Sequence, residues 1–104
     1  MQTEQAQPSN IVILISGSGS NMQTIAAACK KNEIDGNVVA VISNRPEVSG
    51  LERAREMGIH QEVLDHTEFS NREEFDANLI RAIDEHSPDL VVLAGFMRIL
   101  TPDF

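Results

Sequence analysis

The chain has 104 residues, 41% of them hydrophobic and 23% charged, which is the composition of one ordinary globular domain and not of a disordered or fibrous chain. Sixteen acidic against eight basic side chains give a formal charge of -8, so the long-range field repels nucleic acid and anionic membrane surfaces, and an anionic ligand must be held by a local device. Fully apolar runs such as residues 11–15 are too short to span a bilayer, and a single cysteine, Cys29, excludes an internal disulfide and agrees with a reducing compartment.

Residues 1–10 are polar, carry Pro8, and lack the basic start and apolar centre of a signal peptide. They read as a flexible arm on a cytoplasmic protein. Residues 11–16 then form the first of four β-rich runs, and a helix is expected over residues 21–32. In that helix Met22, Ile25, Ala26 and Cys29 share one face, and Lys30 and Lys31 sit at the end where the dipole favours cations. The second strand is expected at residues 38–43. Ser49 with Glu52 spells a capping box for a second helix, which Gly58 stops.

A third strand is expected at residues 61–64. Ser70 with Glu73 repeats the capping box, Phe75, Leu79, Ile80 and Ile83 form the buried stripe of a third helix, and Pro88 forbids its continuation. The fourth strand covers residues 90–94. Strands alternating with helices predict an α/β fold, a Rossmann-like open parallel sheet with helices on both faces. Thr101-Pro102-Asp103 combines an N-cap, a proline at the first helical position and an acid in the first turn, so a further helix is announced there. With so apolar a fourth strand, these residues are expected to be the front part of a larger domain, and the open edge of that strand is expected to support self-association.

The loop Ser16-Gly17-Ser18-Gly19-Ser20-Asn21 joins a buried strand to a helix. Glycines admit a ligand close to the backbone, and free N–H groups at the helix start point at it with the positive end of the dipole behind them. That combination suits phosphate. Ser20 with Gln23 also fits a capping box, so the bland alternative is a well-capped helix after a tight turn. A dinucleotide fingerprint needs a third glycine where Met22 stands and an acid near Ser43-Asn44-Arg45, and no Gly-Lys-Ser/Thr follows to make a Walker A loop. A monophosphate fits better.

The second candidate is Gly95-Phe96-Met97-Arg98-Ile99-Leu100, after the fourth strand. If the strand order is 3-2-1-4, the first and fourth strands flank the switch point where open α/β sheets bind ligands. The apolar side chains then either wall a pocket for a flat ligand or pack under further structure. Arg72, just inside the third helix, either reaches a ligand carboxylate or is solvated, and Arg45 and Arg98 leave the same choice. His60, His66 and His86 have no metal-ligand spacing and read as surface or capping residues. Cys29 reads as core, and no metal is expected.

The segments Asn10 through Gln23, Ser43-Asn44-Arg45, Gly50-Leu51-Glu52-Arg53-Ala54, and Leu93 through Leu100 together resemble the N-terminal half of the phosphoribosylglycinamide formyltransferase family. The resemblance covers residues 10–104. It implies an incomplete formyltransferase fold, with Gly19, Ser20 and Asn21 holding the phosphate of glycinamide ribonucleotide. It also implies that Gly95, Phe96, Met97, Arg98, Ile99 and Leu100 line the pocket shared by that substrate and 10-formyltetrahydrofolate, and that Arg72 lies toward the folate glutamate tail. The Asn, His and Asp that carry catalysis in the family would all lie beyond Phe104, so residues 1–104 alone are expected to be inactive. A non-catalytic phosphate-ligand module and a formyltetrahydrofolate hydrolase relative are the alternatives, and the phosphate loop favours a phosphorylated acceptor over the latter.

Overall fold

In the computed structural model, which describes residues 9–96, four short runs rich in Val, Ile and Leu become the strands β1 (Ser9–Ile15), β2 (Gly36–Ser43), β3 (Gln61–Val63) and β4 (Leu90–Leu93). All pairings are parallel, and the order is β3-β2-β1-β4, as the sequence implied. The helices are α1 (Ser20–Lys30), α2 (Ser49–Glu56) and α3 (Arg72–Asp84). The chain steps one way from β1 to β3 and then crosses back to β4. With right-handed crossovers, α1 and α2 therefore cover one face of the sheet and α3 the other.

The pleat of β1 divides the core accordingly. Ile11, Ile13 and Ile15 pack with Met22, Ala26 and Ala54, whereas Val12 and Leu14 pack with Phe75, Leu79 and Ile83. Alternate residues serve opposite faces because the strand period is two. Each of these β1 side chains is at most 2% exposed, so each contributes on the order of 1.5–3 kcal/mol by burial. A register shift between Ile11 and Val12 passes over Val39, so that Val12 stands opposite Ala40.

Several boundaries differ from expectation for local reasons. Ser9 and Asn10 belong to β1 and not to an arm, because Asn10 N–H donates to Asp89 Oδ2 at 2.8 Å and Asp89 N–H donates to the Asn10 carbonyl at 2.8 Å. A 3-10 turn at His66–Glu68 was not foreseen; Asp65 caps it by accepting from Thr67 N–H at 3.0 Å. The expected capping boxes at Ser20 and Ser49 do not form. Gly19 and Val48 are the N-caps, neither helix has a side-chain cap, and Glu52 turns instead to Arg55. The third box is displaced by one residue. Asn71 accepts from Glu74 N–H at 2.8 Å, and Glu74 Oε1 accepts from Ser70 N–H at 2.9 Å.

On α3 the fully buried positions are Phe75, Asp76, Leu79 and Ile83, while Ile80 is half-buried. β4 is less covered than its composition suggested, with Leu90 51% and Leu93 49% exposed. No described helix is long and apolar enough to cross a membrane. Residues 97–104, including the expected helix start at Thr101, lie outside the described residues.

Candidate ligand site at the carboxyl ends of the strands

Because all four strands run in parallel, the loops after β1, β2, β3 and β4 meet at one end of the sheet. The switch point falls between β1 and β4, and Ala94 N–H donates to the Leu14 carbonyl at 2.9 Å, which ties the loop after β4 to the end of β1.

The loop after β1 enters α1 through Gly19, whose φ of 73° lies in the left-handed region. The first bond along the helix runs from Gln23 N–H to the Gly19 carbonyl at 2.8 Å. The N–H groups of Ser20, Asn21 and Met22 consequently have no acceptor within the helix. Neither a capping side chain nor an acid in the first turn competes for them. Ser18, Ser20 and Asn21 are exposed, so the mouth of the helix is open to solvent. Free N–H donors backed by the positive end of the helix dipole are the kind of local device that suits an anion on a chain of net charge -8.

Gly50, quoted from the sequence only as part of the family resemblance and given no role there, supports this loop. Its N–H donates to the Gly17 carbonyl at 3.0 Å, and a Cβ on it would meet Ile15 Cδ1 at 2.5 Å and the Gly17 carbonyl oxygen at 2.6 Å. Asn44 is the second such residue. It is buried at the end of β2, accepts from Ser16 Oγ–H at 2.6 Å, and donates its backbone N–H to the Ile15 carbonyl at 3.3 Å. From the β3 side, His66 N–H reaches the Asn44 carbonyl at 3.2 Å, and the ring Nδ1 lies 3.0 Å from the same oxygen. One buried asparagine thus fixes the ends of three strands. Its sequence signal was Ser43-Asn44-Arg45 directly after an apolar strand. His66, read from sequence as a surface or capping residue, belongs to this network.

The remaining sequence-predicted residues fall as follows. Gly95 is exposed with φ 76°, and Phe96 packs on the Phe75 side of the core, so the start of the second candidate segment sits beside the switch point. Met97, Arg98, Ile99 and Leu100 lie outside the described residues. Arg72 is exposed at the first position of α3, at this same end of the sheet but on the opposite face from α1. Arg45 is exposed in the loop after β2, and with Asn44, Pro46, Asp65, His66 and Thr67 it lines a recess of about 420 Å³. Among the described residues no cluster of metal-ligating groups lies at this end. Cys29 is far from it, on α1 toward β2, and burial raises its thiol pKa.

Residues 9–104 match the family model described as formyl transferase. The chain is 57% identical over 95 residues to phosphoribosylglycinamide formyltransferase of Escherichia coli, covering 91% of this chain and 45% of that enzyme. It is 45% identical over 96 residues to the trifunctional purine biosynthetic protein adenosine-3 of Drosophila melanogaster, covering 7% of that protein. Among solved structures, glycinamide ribonucleotide transformylase 1 of Symbiobacterium toebii superposes with a TM-score of 0.89 at 41% identity, over 93% of this chain and 46% of that one. The chain therefore spans about half the length of the bacterial enzymes it matches.

Proposed function

The chain belongs to the formyl transferase family, and from that premise we propose that it supplies the acceptor-docking part of a phosphoribosylglycinamide formyltransferase. The reaction proposed is transfer of the formyl group of 10-formyltetrahydrofolate to the amine of glycinamide ribonucleotide, as a step of purine synthesis. The loop segment Gly19, Ser20 and Asn21 holds the acceptor's phosphate, through the free N–H groups of the first turn of α1. Gly95, Phe96, Met97, Arg98, Ile99 and Leu100 line the glycinamide and folate pocket beside the switch point. Arg72 meets the folate glutamate tail.

The observation that carries this reading is the uncapped start of α1. A helix whose first-turn donors have neither a capping side chain nor a neighbouring acid is suited to an anionic ligand, and it lies where open α/β sheets bind ligands. The charge of the whole chain supplies no attraction, so affinity for a phosphate must come from these donors. No residue of the chain is assigned the proton transfers. Those steps are assigned to the family's Asn, His and Asp, and residues 1–104 by themselves are proposed to bind without transferring.

The test is a calorimetric comparison of glycinamide ribonucleotide with its phosphate-free riboside. Two or three charge-assisted hydrogen bonds contribute about 1.5–3 kcal/mol each, so the ribonucleotide should bind about 100-fold more tightly or better. Equal affinities for the two ligands would falsify the phosphate assignment.

A further inference from the structure

At the β3 edge of the sheet, three potential metal ligands converge. Glu62 Oε2 lies 2.8 Å from His60 Nε2 and 2.6 Å from His86 Nε2, and the three donor atoms all lie within 4.8 Å of one another. His60 precedes β3 and Glu62 lies within it, two residues apart, so both side chains leave the strand on one face. That is the α3 face, because Glu62 stands opposite Ile42, which packs with Phe75 and Leu79. His86 arrives there from the turn that ends α3, where its N–H bonds to the Ile83 carbonyl at 3.0 Å and Ser87 takes a left-handed φ of 47°. The sequence separation of His60 and His86 hid this grouping.

We propose that His60, Glu62 and His86 form a binding site for a divalent transition metal of the zinc class. Two imidazole nitrogens and one carboxylate are a known zinc donor set, with a fourth position left to water. Tetrahedral bonds of about 2.0–2.1 Å require donor atoms about 3.3–3.4 Å apart. The present spacings need to open by less than about 1 Å, and an ion placed between the donors would replace the two hydrogen bonds that now share a single oxygen. Two imidazoles favour zinc, copper or nickel over magnesium and calcium, which prefer oxygen ligands. His86 and Glu62 side chains are 18% and 27% exposed and His60 57%, so the site is partly sheltered and open to entry from the His60 side.

The bound ion would clip the three-residue edge strand β3 to the end of α3, joining elements from opposite ends of a βα unit. It would act on stability and not on the ligand loops, so the proposal stands apart from the formyl-transfer reading. The metal binds the folded arrangement and not the separated donors, so saturation stabilises by mass action.

The experiment titrates the purified full chain with zinc alone by calorimetry, then with cobalt while following visible d–d absorption. One ion per chain is expected, with a rise in Tm of about 5 °C or more at saturation. His60→Ala, at the most exposed ligand, and the near-isosteric Glu62→Gln should each weaken zinc at least 10-fold while leaving far-UV circular dichroism unchanged. Absence of saturable binding would reduce the cluster to hydrogen bonds and overturn the proposal. So would zinc binding that survives both substitutions, since the ion would then sit on other donors such as Cys29 or His66.

Discussion

Gly19 and Gly50 meet backbone to backbone: a Cβ built on Gly19 would lie 2.8 Å from Gly50 Cα, and one built on Gly50 would lie 3.2 Å from Gly19 Cα. The start of α2 thereby braces the loop that opens α1, with the Gly50 N–H bonded to the Gly17 carbonyl as the clamp. Glycine at position 19 is required by a φ of 73° and by this contact, before any ligand is considered.

Gly50→Ala should therefore cost about 1–3 kcal/mol, because its new methyl meets Ile15 and the Gly17 carbonyl and backbone cannot yield as a flexible side chain can. Gly17→Ala has nothing within 4 Å of the added carbon and should stay within about 0.5 kcal/mol of the parent. Urea denaturation of the two variants measures the contrast, and similar losses for both would contradict the bracing role of Gly50.

Asn21→Asp separates stability from binding by sign. A carboxylate in the first turn of α1, where no acid now stands, should stabilise the fold by about 0.3–1 kcal/mol through the helix dipole. The same charge repels a phosphate placed at those N–H groups, so affinity for glycinamide ribonucleotide should fall at least 10-fold. A variant that is more stable and binds unchanged would place the phosphate elsewhere.

Asn44→Ala removes the buried acceptor of the Ser16 hydroxyl and the side chain that fixes the loop after β2. The expected loss is about 1–3 kcal/mol. Thermal unfolding checks it, and an unchanged Tm would show that the backbone bonds of Asn44 alone hold the three strand ends together.

Asp65 is held below its ordinary carboxyl pKa of 3.8, first by the Thr67 hydroxyl and then by the Thr67 backbone N–H. A lowered folded pKa means that the stabilisation is fully present above 3.8 and is lost as pH falls through the lower folded value. Carboxyl carbon chemical shifts followed by NMR should give Asp65 a midpoint below 3.8, and Thr67→Val should raise it. A midpoint unmoved by Thr67→Val would dismiss the cap as the cause.

Leu90 and Leu93 are about half exposed along β4, which is an edge of the sheet among the described residues. An uncovered apolar strand is a template for pairing. Sedimentation of the 104-residue chain at rising concentration is expected to show self-association that Leu93→Lys suppresses; a monomer at every concentration would argue against it.

The helix faces and the glycine-bent loop before α1 were legible in the sequence, because hydrophobic period and glycine position are local signals, and the strand order is the one that the switch-point reading assumed. The roles of Gly50 and Asn44 were not legible. Each acts through a partner about 30 residues away, Gly17 in one case and Ser16 in the other, and nothing in either segment announces that contact. The same limit applied to His60, Glu62 and His86, which only the crossover from β3 through α3 brings together. Capping boxes failed for the opposite reason: Ser20 and Ser49 carry the right local pattern, but Gly19 and Val48 already occupy the cap positions.

The most direct test of the phosphate assignment is amide NMR of the chain titrated with glycinamide ribonucleotide. The N–H resonances of Ser20, Asn21 and Met22 should shift downfield together and saturate on one binding curve, with those of α3 residues such as Asn78 unmoved. Saturable binding that leaves these three amides in place, or shifts only amides at the opposite end of the sheet, would contradict the assignment of the α1 start as the acceptor's phosphate site.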